Sequence, residues 1–257
     1  MCFVRDDDGT MRLILISGLT LSFAAAQTPS EPPLLIHMIR TLGSDPARLP
    51  PYAQARAQGN VIGMQSLTGL METWHIEEHD SFQSIEELDR AMQSVQGPRV
   101  VGPGAEQSSL IALYRPNWSY RPDLAIKSFP KARYFQVSIR HVRPGADSDI
   151  GELMKMRQSG LDRINLDRPD IVYQVVSGAP SETFIVLAPL SSLKTLDEAL
   201  TRIPSTADSG PRPSSKLAAG IELSREDLLL RVEPRISWVN QDFAGADPEF
   251  WQAKARK

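Results

Sequence analysis

The sequence predicts an α+β chain in which one unit, ordered strand, helix, strand, strand, helix, strand, occurs twice. Two observations carry that expectation. Four short phrases recur in the same order at separations that drift slowly from 100 to 118 residues. Apolar residues alternate with period two in short runs bounded by glycine, proline and serine, the pattern of half-buried strands. A third observation sets the scale: 257 residues with 41% hydrophobic and 23% charged side chains suffice for one large core or two of about 100 residues.

The recurring phrases are Leu35–Arg40 against Phe135–Arg140, Glu72-Thr73-Trp74 against Glu182-Thr183-Phe184, Leu88–Met92 against Leu196–Leu200, and Pro116–Tyr120 against Pro234–Trp238. Strands are expected over 34–41 and 134–142, followed by helices over 46–58 and 147–166. Asp45 can cap the first of these with Pro46 at its first position. Runs 60–67 and 170–177 read as strands that turn at Gly69 and at Gly178-Ala179-Pro180 into partners over 71–78 and 183–188. Ser84-x-x-Glu87 matches a capping box opening the second helix of the first unit. Strands over 108–114 and 228–232 close the units, preceded by loops over 97–107 and 205–215. Units of 34–120 and 134–238 and a tail of 239–257 follow.

Residues 13–26, an apolar run ending in Ala24, Ala25 and Ala26, read as an export signal spanning positions 1–26. Asp6, Asp7 and Asp8 oppose insertion, and initiation at Met11 removes that conflict. At 14 residues the run is short of the ~20 that cross a bilayer as a helix. The single cysteine, Cys2, lies before the expected cleavage point, so the exported chain would carry no disulfide, no cysteine-bound metal and no lipid anchor. The expected location is the periplasm or the extracellular space. The charge balance, 28 Lys and Arg against 31 Asp and Glu, lacks the basic excess of a nucleic-acid or anionic-membrane binder.

The element order is that of a ferredoxin-like fold. Two such units in one chain, together with phrases such as Tyr173-Gln174-Val175-Val176-Ser177-Gly178-Ala179-Pro180, resemble the dimeric α/β-barrel superfamily. The resemblance implies two ferredoxin-like units packed sheet to sheet through their bare faces. It leaves function open, because the superfamily includes cofactor-independent monooxygenases, small isomerases and haem enzymes.

His75-Ile76-Glu77-Glu78-His79 fits the H-x-x-E-H zinc pattern, which needs a helix to bring both histidines to one ion. Here it falls in an expected strand, where residues four apart lie about 13 Å from one another, so no metal site is expected. His75 and Glu77 share a strand face and form a candidate acid–base pair if that face is internal. Arg40 and Arg140 occupy matching positions and are expected to point between the sheets, bridged to Glu72 and Glu182 or anchoring an anionic ligand. Tyr173, Trp118 and Trp238 add aromatic area for an apolar ligand. No cofactor signature is present: there is no Gly-rich nucleotide loop, and no histidine has the helical setting of a haem ligand. Three function classes follow: an exported module binding a small, mainly apolar ligand between its sheets, a cofactor-independent oxygenase- or isomerase-like enzyme, and a structural protein with a filled centre. Whether the chain is a monomer or a homo-oligomer is open at this level.

Overall fold

A computed structural model describes residues 31–43, 59–94, 106–163, 168–180, 182–202 and 213–252. Eight strands form one closed barrel: β1 (Leu35–Leu42), β2 (Val61–Ser66), β3 (Glu72–His79), β4 (Glu106–Tyr114), β5 (Tyr134–Val142), β6 (Ile171–Ser177), β7 (Thr183–Leu190) and β8 (Glu222–Val232). Around the barrel the order is β1-β3-β2-β8-β5-β7-β6-β4. Strands β1 to β4 thus make one four-stranded unit in the order 4-1-3-2, and β5 to β8 repeat it as 8-5-7-6. This is the duplicated plan expected from the sequence.

The packing differs from expectation in one respect. The units do not stack as two open sheets. They join edge to edge through antiparallel pairs β2–β8 and β4–β6, so the strand edges of both are hydrogen-bonded. Closure removes the four free edges that two separate sheets would expose, and it leaves the inner faces meeting across the barrel centre.

Helices α1 (Phe82–Ser94), α2 (Pro122–Ser128), α3 (Asp147–Arg163), α4 (Lys194–Arg202), α5 (Pro213–Ile221), α6 (Gln241–Gly245) and α7 (Pro248–Trp251) accompany the strands. The helix expected over 46–58 lies outside the described residues, as does the export signal. The expected capping box shifts by one turn: Ser81 accepts from the Ser84 amide, so Ser84 sits inside α1 rather than at its cap. The expected loop over 205–215 gives way at Pro213 to α5, and β8 begins at Glu222, six positions before Leu228.

Strand alternation divides the core in two. Ile36, Met38, Ile62, Met64, Trp74 and Ile76 from the first unit meet Phe135, Val137, Ile185, Leu187, Leu228 and Leu230 from the second inside the barrel. On the outer face of the second unit, Val142, Phe184 and Val186 pack against Ile150, Leu153 and Met154 of α3 and Ile221 of α5. The end where β6 begins is closed. Ile126 of α2, Phe129 and Phe243 of α6 join the inner cluster, and the Trp251 indole donates to the Pro130 carbonyl at 2.7 Å. Asn240 caps α6 by accepting from the Phe243 amide. The opposite end, where β6 finishes, is the mouth.

Candidate functional site

At the mouth the apolar filling stops at Met38, Trp74, Leu110 and Ile139, and a cavity of about 200 Å3 opens above them. Its polar wall comes from Arg40 on β1, His141 on β5, Thr183 on β7 and Glu226 on β8. These strands place them by register: Arg40 lies opposite Trp74, and His141 opposite Thr183. The β6–β7 turn, Gly178-Ala179-Pro180, forms the rim. Gly178 is required there because its φ is +92° and a Cβ would come within 2.1 Å of the Ser109 carbonyl oxygen.

Arg40 is fully engaged. Its Nε donates to Glu72, which is buried, and its Nη atoms donate to Glu226 at 3.1 and 2.8 Å. Burial alone would push the guanidinium down, but these two carboxylates together hold it above its usual value. Its carbon also sits 5.2 Å from the Trp74 ring centroid. One cation flanked by two carboxylates makes the mouth unfavourable for an anion. The expected Arg40–Glu72 bridge is therefore present.

His141 Nδ1 lies 2.7 Å from Thr183 Oγ1, whose hydroxyl donates to the Pro180 carbonyl at 2.6 Å. Because that hydroxyl proton is committed, Nδ1 must be the donor, and in the neutral ring Nε2 is the basic nitrogen. Trp74 also lines the cavity, and its indole Nε1 is buried without a hydrogen-bond partner among the described residues.

The remaining sequence candidates lie elsewhere. His75 and Glu77 project from the outer face of β3, away from the cavity, because Trp74 and Ile76 take the inner face. His75 packs under the 234–238 segment with a hydrogen bond to the Ile236 backbone, and burial pushes its pKa down to about 4. Glu77 faces His37 across the β1–β3 pair at 2.8 Å and His79 at 3.8 Å. Burial pushes its carboxyl up, yet the two histidines together hold it below the usual carboxylate range. With β3 a strand, His75 and His79 sit four residues apart on it, and no group of three metal-ligating side chains occurs among the described residues.

Arg140 is also on the outer face. Phe135, Val137 and Ile139 fill the barrel, so Gln136, Ser138 and Arg140 turn toward the helices, the reverse of the expected arrangement. Its carboxylate partner is Glu222, not Glu182, which stands in the turn before β7 with φ +61°. Trp118 packs edge-on against Phe184 at 5.0 Å in the helical layer. Trp238 pairs by backbone with Val61 beside β2. Tyr173 is inside the barrel but fully buried, its hydroxyl donating to the Pro33 carbonyl at 3.3 Å. Of the seven sequence candidates, only Arg40 reaches the mouth cavity. No sequence signal marks His141 or Glu226 as site residues; His141 stands directly after the recurring phrase that ends at Arg140.

The interior carries one further buried ionisable group. Glu78 faces inward at the closed end, where Asn60 Nδ2 donates to it at 2.9 Å and burial raises its pKa to about 7.

No family model and no curated protein matches the chain. Among solved structures it is similar to an anthrone oxidase-like protein, at 10% identity and a TM-score of 0.49 over 78% of this chain and 92% of that one. It is also similar to a chlorite dismutase variant from Candidatus Nitrospira defluvii, at 9% identity and a TM-score of 0.48 over 86% and 96% of the two chains. The strand order described above repeats one four-stranded unit twice, as the resemblance implied, but the two units close edge to edge into one barrel instead of packing sheet to sheet.

Proposed function

We propose that this protein binds a small, largely apolar, uncharged molecule at the barrel mouth. The observation that carries this reading is that Trp74, whose buried Nε1–H has no partner among the described residues, lines a cavity of about 200 Å3. An unpaired buried donor costs about 1 to 3 kcal/mol, and an occupant bearing one acceptor oxygen recovers it. The volume suits a molecule of about ten non-hydrogen atoms at most, taking ~20 to 30 Å3 for each. Met38, Leu110 and Ile139 supply apolar contact, and the Arg40–Glu72–Glu226 network disfavours an anion. The reading is narrower than a ligand held between two sheets, because the barrel centre is packed.

Cyclohexanone and p-cresol are suitable probes. Each of the four tryptophans gives one indole N–H signal in a 1H–15N correlation spectrum, and Trp74→Phe assigns the relevant one. The Trp74 signal should move on titration with at least one probe while the other three stay in place. If no probe of this size and polarity moves it, the mouth is simply closed space and the reading fails.

A second reading is favoured by the His141–Thr183–Pro180 chain, which fixes the tautomer of a histidine lining the same cavity. On that reading the protein is a cofactor-independent enzyme in which His141 Nε2 accepts a proton from the bound molecule. Solvent-deuterium exchange into a bound ketone, lost in His141→Gln with binding retained, is the expected result. Binding without exchange leaves the protein a binding module.

We further propose that residues 1–26 direct export. N-terminal sequencing of the protein from its own host should begin at Gln27, and an intact N-terminus would refute this.

A further inference from the structure

Strand β5 separates two chemically opposite surfaces. Its inner side chains contribute to the mouth, whereas Gln136, Ser138 and Arg140 on its outer side border a cleft of about 120 Å3 beneath α3. Register sets Ser138 opposite Asp227 and Arg140 opposite Arg225 on β8. Two arginines directly across a strand pair repel each other. α3 adds Arg157 from above, and Arg168 enters just before β6.

Among the described residues, four guanidinium groups at the cleft meet three carboxylates. Arg157 forks onto Asp170, with one of its two bonds at 3.1 Å. Arg225 bonds Asp227 at 2.7 and 3.1 Å, and Arg140 bonds Glu222. Among the described residues Arg168 makes no ion pair, although the charges of Asp170 and Asp227 attract it. Its Nε is buried without a partner among those residues, and so are Arg140 Nε, Ser138 Oγ and Gln136 Oε1. Arg140 is only 7% exposed. Burial first, then the neighbouring guanidinium of Arg225, pushes Arg140 below its usual value, and burial with Arg157 does the same to Arg168.

Burying like charge and four unfilled hydrogen-bonding positions, three of them able to donate, around one void is costly unless something supplies the opposite charge and the missing partners. A guanidinium fork matches the oxygen spacing of carboxylate and phosphate groups, and an alcohol can add a further bond. A void of about 120 Å3 holds roughly four water volumes, the size of a single oxyanion head. We infer that the cleft between α3 and strands β5 and β8 binds a small molecule through one phosphate or carboxylate head, held by Arg140, Arg168 and Ser138. The site lies on the opposite face of β5 from the mouth, so it stands or falls independently of the ligand proposed there.

Isothermal titration calorimetry on the full mature chain, with sodium phosphate, sodium sulfate and sodium acetate at constant ionic strength, tests this. At least one salt should bind with one-to-one stoichiometry. Phosphate and sulfate heats without acetate assign a tetrahedral head, and acetate heats assign a carboxylate. Arg168→Gln should weaken binding by about tenfold or more. Ser138→Ala, a smaller change, should weaken binding less. Arg163→Gln, an exposed position on α3 outside the cleft, should leave binding unchanged. Absence of heat for all three salts up to about 50 mM, or equal binding by Arg168→Gln and the native chain, would overturn the assignment.

Discussion

Glu78 and His75 are neighbours on β3 whose burial gives opposite pH dependences, and together they should nearly cancel. Glu78 titrates near 7 in the folded protein against an ordinary 4.5, so the folded state holds a proton that the unfolded state has released. Its contribution to stability is therefore lost as pH rises from about 4.5 through 7. His75 titrates near 4 against an ordinary 6.5, so the unfolded state takes up a proton that the folded state refuses, and stability is lost as pH falls through the same range. At 1.36 kcal/mol per unit, each group changes stability by about 2 kcal/mol between pH 5 and 7, with opposite sign. The native protein should thus show a nearly flat profile over that window. Glu78→Gln keeps an acceptor for Asn60 and removes the carboxyl, so stability should rise by about 2 kcal/mol from pH 5 to 7. His75→Gln should show a fall of the same size. Urea unfolding at pH 5, 6 and 7 with linear extrapolation measures all three profiles. A Glu78→Gln profile as flat as that of the native protein would show that the two groups are not titrating as their burial requires.

Two further predictions concern the mouth. Arg40→Ala leaves the buried Glu72 carboxylate without its cation and should cost about 3 to 5 kcal/mol by urea unfolding, whereas Arg40→Met with Glu72→Leu should recover most of that loss. Recovery absent from the double variant would mean that the pair is not a self-contained unit. Gly178→Ala should cost more than about 2 kcal/mol because its added Cβ meets the Ser109 carbonyl, while Gly145→Ala, with comparable φ but nothing within 4 Å, should cost only about 1 kcal/mol. Equal costs at the two positions would remove the close approach of the β6–β7 turn to β4 as the reason for that glycine.

The duplicated strand order was legible because each unit repeats its turn residues and its alternation. β5 runs from Tyr134 to Val142, the span its pattern predicts. The facing of β5 was not legible. Matching Ile39-Arg40 to Ile139-Arg140 is natural by similarity, but a strand has period two, and a one-residue slip exchanges its faces. In the barrel Met38 and Arg40 share the inner phase with Ile139 and His141, so Arg140 emerges on the outside and His141 at the mouth. Phe135, Val137 and Ile139 form one apolar face by alternation, and it is the barrel interior that claims it, not the helices. The same slip moved Phe184 outside while Trp74 stayed within.

The early part of β8 was missed for a different reason. Glu222 to Asp227 is nearly all polar and reads as a loop, yet those residues are strand because they pair with Ser138 to Val142 of β5; Glu226 then reaches inward to Arg40, and Arg225 and Asp227 line the outer cleft. Helices α2, α6 and α7 are too short for a clear 3.6-residue period. What holds them is tertiary, through Ile126, Phe243 and Trp251 at the closed end of the barrel.

Edge-to-edge closure of the two units underlies the mouth site, whose lining comes from both, and cross-linking of its β2–β8 seam tests it most directly. Gln65 and Arg231 are register partners across that seam, so their Cα atoms lie about 4.5 to 5.5 Å apart, within disulfide reach. Two sheets stacked face to face would hold such residues about 10 Å apart or more, beyond bridging. In a chain with Cys2 replaced by serine, Gln65→Cys with Arg231→Cys should oxidise to a single intramolecular disulfide and raise the melting temperature. Free thiols persisting under oxidant, or only cross-linked dimers, would contradict the closed barrel.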